Sequence, residues 1–327
     1  MNNEFDWIQS VSPKKLHQPS VKVGIGDDAA IYSVHSEFDQ VVAVDTMVEG
    51  IHFTRKTMPI KSIGYKALAV NLSDLAAMGA IPLYYLVSVA VPKQGWTQEE
   101  LSKMYEGMDQ LACKWQVDLI GGDTVSIRDT LVLTVTVIGK VKRDRHLLRS
   151  QAEEGDVLFV TGEVGLSAYA LEHLLNDESP RVDQSSFARF LKAHQEPEPQ
   201  LEAGQLLAKG DGRVSLNDVS DGLAHEAKEI AEASGVNIVI DWDSLLIPQE
   251  FNTHPIEKQE DWMLYGGEDF QLVGTVSAHY WNELVLRFKE HHLLLHKIGR
   301  VEKGEGTVFM KRHGTRSIIE KSGYHHF

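Results

Sequence analysis

Apolar residues follow a helical rhythm from residue 63 to 80. Ala67, Val70, Leu75, Ala76 and Met78 predict a buried helix, and Gly79 followed by Pro82 supplies its stop. Two polar residues interrupt this frame. Asn71 and Asp74 stand three apart, so they share one helix face a turn apart. A carboxylate in apolar surroundings is costly unless it is paired or bound to a metal. The competing reading is a core helix whose polar pair caps a neighbouring loop.

The other segments alternate. Residues 4–11 read as a short helix, 22–25 as a strand and 29–34 as extended chain. Residues 40–45 (QVVAVD) read as a buried strand and 46–53 as a loop. A strand over 83–91 ends at Pro92. Thr97 and Glu100 form a capping box that opens a helix to about Trp115. A short strand over 117–120 stops at Gly121-Gly122-Asp123-Thr124, and 130–141 is a long strand. The polar stretch 143–155 marks a boundary between domains at 1–145 and 146–327. Beyond it, strands are predicted over 157–161, 214–219, 236–240, 270–276 and 294–301. Helices are predicted over 165–175, 200–208, 223–234 and 280–290, with a polar excursion at 176–186 and a break at 196–199. The fold class is α+β: an N-terminal α/β layer plus a C-terminal α/β domain.

Charge narrows the function. The chain of 327 residues carries a net charge of −15, which argues against a nucleic-acid partner. A single cysteine, Cys113, excludes an internal disulfide framework and a cysteine-rich metal site. No basic-then-apolar leader and no long apolar run is present, so the expectation is a soluble cytoplasmic protein without a membrane span.

Aspartates gather where apolar runs end: Asp27 and Asp28, Asp45, Asp123, Asp218 and Asp221, with Asp74 on the helix. Each turn alone is ordinary. Together they need counter-ions, and an oxygen-rich, sulfur-free set points to a hard cation such as Mg²⁺. Neither a G-x-x-x-x-G-K-[ST] loop nor a kinase-type HRD or DFG is present. Gly121-Gly122 allows backbone approach to a phosphate. Arg149 could neutralise one, although a linker charge is the simpler reading of it, and His52 could contact a substrate from its loop.

The motifs GIGDDAA (24–30), DTMVEGIHF (45–53), YKALAVNLSDLAAMGAIP (65–82), LIGGDT (119–124), LLRSQAEEGD (147–156), VTGEVGLSA (160–168), DVSDGL (218–223), YGGEDFQL (265–272), IGRV (298–301) and the terminal GYHHF run through the whole chain in order. Together they resemble the thiamine-monophosphate kinase family, in the superfamily of aminoimidazole-ribonucleotide synthetase. The resemblance implies a homodimer joined through N-terminal sheets, ATP as co-substrate, several Mg²⁺ ions, and direct phosphoryl transfer to thiamine monophosphate. It implies metal ligation by Asp28, Asp45, Asp74, Asp123, Asp218 and Asp221. ATP contacts fall on Tyr105, Gly122, Asp123, Arg149 and Ser220. Substrate contacts fall on His52, Glu268 and Tyr324. No side chain need act as a general base, because the acceptor is a phosphate oxygen. Two departures stand out. Ala43-Val44 replaces the family's usual Ser-Thr, leaving the Val44 carbonyl as the ligand there, and His325 replaces an acid in the tail. The alternatives are another ATP-using enzyme of the superfamily and a non-catalytic acidic protein that binds divalent metal.

Overall fold

The computed structural model describes residues 13, 15–23, 31–32, 37–176 and 184–321. The expectations for Asp27, Asp28, Tyr324, His325 and the helix over 4–11 lie outside these residues. The chain forms two compact units. One comprises residues 1–75 and 81–144, the other residues 76–80 and 145–327.

In the first unit, β1 (Val21–Val23) pairs antiparallel with β2 (Ile31–Tyr32). Next come β3 (Phe38–Val48), α1 (Ile60–Ala77), β4 (Ile81–Pro92), α2 (Gln98–Trp115), β5 (Asp118–Ile127) and β6 (Val132–Lys142). The sheet order is β3-β6-β4-β5, antiparallel except for the β4–β5 pair. Along β6 the residues alternate. Leu133, Val135, Val137 and Val141 are buried, while Val132, Thr134, Thr136 and Ile138 are partly exposed. The buried row faces α1, where a Cβ on Gly139 would lie 3.1 Å from Leu75.

The two helices of this unit touch backbone to backbone. A Cβ on Gly64 of α1 would fall 1.8 Å from the Met104 carbonyl oxygen of α2, and one on Gly107 would fall 1.9 Å from the Lys61 carbonyl oxygen. Only glycine allows this approach. The predicted capping box is present: the Thr97 hydroxyl accepts from Glu100 N, and the Glu100 carboxylate accepts from Thr97 N at 2.8 Å.

Three expectations change here. The strand over 40–45 is an edge strand rather than a buried one, with Val42 63% and Val44 58% exposed on the open face of the sheet. It also continues through the expected loop to Val48, because β6 offers eleven paired positions. Likewise β5 does not stop at 121–124. Its parallel ladder with β4 carries Gly121 through Ile127, and Gly122 fits where a Cβ would meet the Val87 carbonyl oxygen at 2.0 Å.

The second unit contains β7 (Val157–Val160), α3 (Leu166–Asn176), α4 (Gln184–Gln195), α5 (Leu201–Lys209), β8 (Val214–Asp218), α6 (Leu223–Ser234), β9 (Val236–Asp241), α7 (Ile256–Glu260), β10 (Leu272–Val276), α8 (Trp281–Glu290), β11 (His296–Lys303), β12 (Val308–Arg312) and β13 (Thr315–Ile318). Its seven strands lie in the order β13-β12-β9-β11-β7-β10-β8. The core joins Leu158, Val160, Ile238, Ile240, Val273 and Ile298 of the sheet to Ala227 and Ile230 of α6. Tyr169 packs against Phe190, Phe251 and Trp262, with ring centroids 4.7, 5.1 and 4.9 Å away. Helix α4, the helix that runs from α7 into a π-helical turn (Asp261–Tyr265), and the β12–β13 hairpin extend the sequence pattern. The expected polar excursion at 176–186 overlaps the start of α4, and β10 begins at Leu272 rather than at 270.

Candidate functional site

In the first unit, the polar pair of α1 divides its work. Asn71 is fully buried. Its Oδ1 accepts from Asp45 N at 2.9 Å, and its Nδ2 donates to the Ala67 carbonyl at 2.9 Å. An edge strand has backbone N–H groups without a ladder partner, and Asn71 satisfies one of them. The amide therefore pins the strand at Asp45 to the helix. Asp74, one turn further on, is partly exposed. The polar pair thus ties a strand, not a loop.

Asp45 stands opposite Val135, in the row Asp45–Val135–Val87–Gly122. Asp123 belongs to the neighbouring row Thr46–Thr134–Ser88–Asp123, and so to the open face that also carries Val42 and Val44. The register therefore puts Asp45 and Gly122 on one side of the sheet and Asp123 on the other. Asp45 and Asp123 are both exposed and both lie inside strands, not at strand ends. Val44 is exposed as well, so hydroxyl residues at this position would cost little burial. The His52 ring is tied to the end of β3, where its Nδ1 accepts from Val48 N at 3.0 Å. Tyr105 lies on α2, and burial of its phenol raises its pKa above the usual tyrosine range.

In the second unit, Asp218 ends β8, and Ser220, Asp221 and Gly222 turn the chain into α6. Gly222, with φ of 111°, makes that turn and caps the helix. Asp218 is buried; Ser220 and Asp221 are partly exposed. Arg149 is more than a linker charge. A 3₁₀ turn (Arg149–Gln151) holds its backbone carbonyl against the Ser215 and Ser234 hydroxyls, at 2.6 and 2.8 Å. Its Nε donates to Asn217 Oδ1 at 3.0 Å and its Nη1 to Glu229 at 3.1 Å.

Glu226, buried in the first turn of α6, was not legible as a site residue. Its carboxylate accepts from Asn217 Nδ2, from the Ser220 hydroxyl at 3.2 Å and from Asp221 N at 3.0 Å. Burial pushes its pKa up to about 8, the nearby Asp218 charge adds to this, and the Asp221 N–H opposes it. An acid in the first turn of a helix normally reads as a dipole partner, which hides any other role. One atom each from Asp221, His225 and Glu226 lies within 4.8 Å of the other two, a spacing that could hold a cation.

Glu268 sits on the other side of this turn. Its backbone N–H donates to the Ser220 carbonyl at 2.7 Å, and Phe270 N donates to the Val219 carbonyl at 2.9 Å. Glu268 and Phe270 both have positive φ, 66° and 49°, so the loop is held in a conformation that non-glycine residues seldom adopt. The Glu268 carboxylate lies 3.5 Å from His194 Nδ1, which is 3.0 Å from the Ser167 hydroxyl. Between the two strained residues, Asp269 is buried and accepts from Gly165 N at 2.6 Å and Ser167 N at 3.2 Å, at the start of α3. Burial is the largest influence on it and, against those N–H bonds, pushes its pKa up to about 7.

Known proteins match this arrangement along its length. The family model for the AIR synthase related protein N-terminal domain matches residues 26–141, and the C-terminal domain model matches residues 153–311. A thiamine-monophosphate kinase of Bacillus subtilis (strain 168) is 49% identical over 327 residues, covering 99% of each chain. A crystal structure of thiamine-monophosphate kinase from Stenotrophomonas maltophilia K279a has a TM-score of 0.83 at 31% identity, covering 95% of this chain and 96% of that one. A structure of AaThiL complexed with AMPPCP and TMP has a TM-score of 0.76 at 28% identity, covering 99% of this chain and 97% of that one. Two domain models in series and full-length similarity to curated enzymes show that the chain belongs to the AIR synthase related family, among its thiamine-monophosphate kinases.

Proposed function

We propose that this chain transfers the γ-phosphoryl group of ATP directly, by in-line displacement, to the phosphate of thiamine monophosphate, giving thiamine diphosphate. The observation that carries this is the grouping of Asp218, Ser220, Asp221 and Glu226 with the anchored Arg149 guanidinium at one strand end. Carboxylates with an adjacent cation and hydroxyl suit a triphosphate that arrives with divalent metal. Support also comes from the B. subtilis relative, which matches essentially the whole chain.

The donor set fits Mg²⁺: carboxylate oxygens dominate and no sulfur takes part. Several Mg²⁺ ions are assigned, to Asp28, Asp45, Asp74 and Asp123 with the Val44 carbonyl in the first unit and to Asp218 and Asp221 in the second; Asp45 and Asp123, on opposite faces of the sheet, would not share one. When bound, the metal supplies neutralisation of the phosphate charges. The chain's own groups do the rest. Arg149 and Ser220 of the second unit are assigned to ATP, as are Tyr105 and the Gly122 backbone of the first. Asn71 fixes the backbone that presents Asp45. Glu268, His52 and Tyr324 contact thiamine monophosphate, with Glu268 facing the cationic thiazolium or the aminopyrimidine. The phosphate acceptor is already a nucleophile, so no residue is assigned as a general base.

The test is ADP release with and without thiamine monophosphate. ADP formed only when it is added, with thiamine diphosphate appearing in equal amount, supports the assignment. Metal binding without nucleotide turnover overturns it in favour of a non-catalytic acidic protein. Glu268→Gln is expected to raise KM for thiamine monophosphate about tenfold and to leave KM for ATP within roughly twofold, the signature of a lost ground-state contact. Equal changes in both would move Glu268 away from the vitamin.

The chain works as a homodimer in the cytoplasm. The open face of the four-stranded sheet exposes Val42 and Val44 on one edge strand and Val125 and Ile127 on the other, apolar side chains that a second copy would cover. Among the described residues no helix is long and apolar enough to cross a membrane. Val42→Glu puts a charge on that face and is expected to shift the sedimenting species from dimer to monomer. An unchanged dimer would place the interface elsewhere.

A further inference from the structure

We propose that Glu226 is a positioning residue that sets the geometry of the 217–221 turn and, through Asn217, the aim of the Arg149 guanidinium. This deepens the phosphoryl-transfer assignment above and rests on it for the role of Arg149.

The case is one of donors and acceptors. Glu226 and Asn217 are each 2% exposed, so water satisfies neither. The bonds are those of the ionised carboxylate, so the comparison below is made at pH 9, above the raised pKa of Glu226. In that form both Glu226 oxygens are occupied as acceptors. Oε1 accepts from the Ser220 hydroxyl and from Asp221 N, and Oε2 accepts from Asn217 Nδ2. That last bond fixes which way the Asn217 amide points. With Nδ2 given to Glu226, its Oδ1 must face the other way, and it accepts from Arg149 Nε. The buried acid thus holds three members of the strand-to-helix turn, and one of them orients a half-exposed cation. Arg149 Nη1 also reaches Glu229, so a guanidinium that loses Asn217 retains a tether and swings about it.

The chain of bonds has a polarity, and the polarity can be broken and restored. In Glu226→Gln the new amide keeps its oxygen toward Ser220 and Asp221 N. Its NH₂ then faces the Asn217 NH₂, donor against donor. If Asn217 flips to relieve this, its NH₂ meets Arg149 Nε instead. Either way one bond to the guanidinium or to the turn is lost. Adding Asn217→Asp repairs both ends. The new carboxylate accepts from the new amide on one side and from Arg149 on the other, with the same number of heavy atoms.

The experiment measures ATP binding by calorimetry and the two KM values for wild type, Glu226→Gln and Glu226→Gln/Asn217→Asp, with melting temperatures for all three. The expected result is a KM and Kd for ATP about tenfold higher in Glu226→Gln, KM for thiamine monophosphate within roughly twofold, and the double variant within about threefold of wild type. A purely structural role lowers the melting temperature and moves both KM values together. Glu226→Gln with wild-type ATP affinity overturns the proposal, as does a double variant no better than the single one. If Glu226→Gln does not fold, the double variant decides alone, and its failure to fold or to bind ATP also overturns it. A wild type that binds ATP without using thiamine monophosphate refutes the assigned reaction instead, while the binding comparison still judges Glu226. A wild type that binds no ATP refutes both.

Discussion

Asp74→Asn is expected to lower turnover on the order of 10²–10³-fold while leaving the fold intact. Asp74 stands one helical turn beyond Asn71, the residue that ties α1 to the strand backbone at Asp45. The two polar groups therefore differ in kind. Asn71 is buried and belongs to the architecture, whereas Asp74 is partly exposed, where a cation could reach its carboxylate. The amide replacement keeps the shape and removes the charge. In a unit that also carries Asp45 and Asp123, loss of one carboxylate lessens like-charge repulsion, so thermal stability without Mg²⁺ should hold level or rise. Asn71→Ala is the contrast. It leaves Asp45 N without its partner and is expected to cost about 1–3 kcal/mol of stability. Turnover and melting temperature on both variants check the pair. An Asp74→Asn protein with wild-type turnover, or one that is unfolded, would sink the assignment.

Asp269→Asn is expected to destabilise most at low pH and progressively less as pH rises. An aspartate in the unfolded chain titrates at its ordinary value of 3.8, while burial holds the folded group to about 7. Between these values the folded state keeps a proton that the unfolded state has lost, so wild-type stability falls as pH climbs through that window. Above it the loss is complete, on the order of 4 kcal/mol at most. Asparagine cannot ionise and lacks this dependence. It loses one of the two acceptor oxygens facing the Gly165 and Ser167 amides, about 2 kcal/mol at pH 4. Denaturant midpoints at pH 4, 5.5 and 7.5 test it. A gap between the two proteins that widens with pH would mean that the helix amides favour the ionised carboxylate more strongly than burial opposes it.

The helix bearing Asn71 and Asp74, the capping box at Thr97 and the order of most strands and helices were legible, because a buried helix must show its period and a cap its spacing. Turn dipeptides misled where pairing overrode them. Gly121-Gly122-Asp123 reads as a stop, yet a neighbouring strand satisfies its backbone and the ladder continues to Ile127. Asp45 reads as a strand end, yet an edge strand with one open face accepts a charge in its interior. Helix α4 was hidden behind polar residues although Phe187, Phe190, Leu191 and His194 keep helical spacing. The β12–β13 hairpin was missed although His313-Gly314 supplies the two positive-φ positions of a tight turn. Glu226 was out of reach for a different reason. Its importance lies in three partners, and sequence spacing predicts none of the bonds it makes across the turn.

The glycine contact between α1 and α2 bears on how this protein can change over generations. Side-chain packing between helices is negotiable: one residue grows, its neighbour shrinks, and the axes drift apart by an ångström or two. Gly64 and Gly107 remove that latitude, because the helices meet through main-chain atoms that no substitution alters. Replacing glycine by alanine in a helix ordinarily stabilises, by trimming the freedom of the unfolded chain; at these two positions the added methyl would have to displace a carbonyl oxygen. The leucines and methionines around them can change while the spacing of α1 from α2 stays where it was. Lineages can thus accumulate core replacements without moving α1 away from α2, and the two glycines are where that tolerance ends.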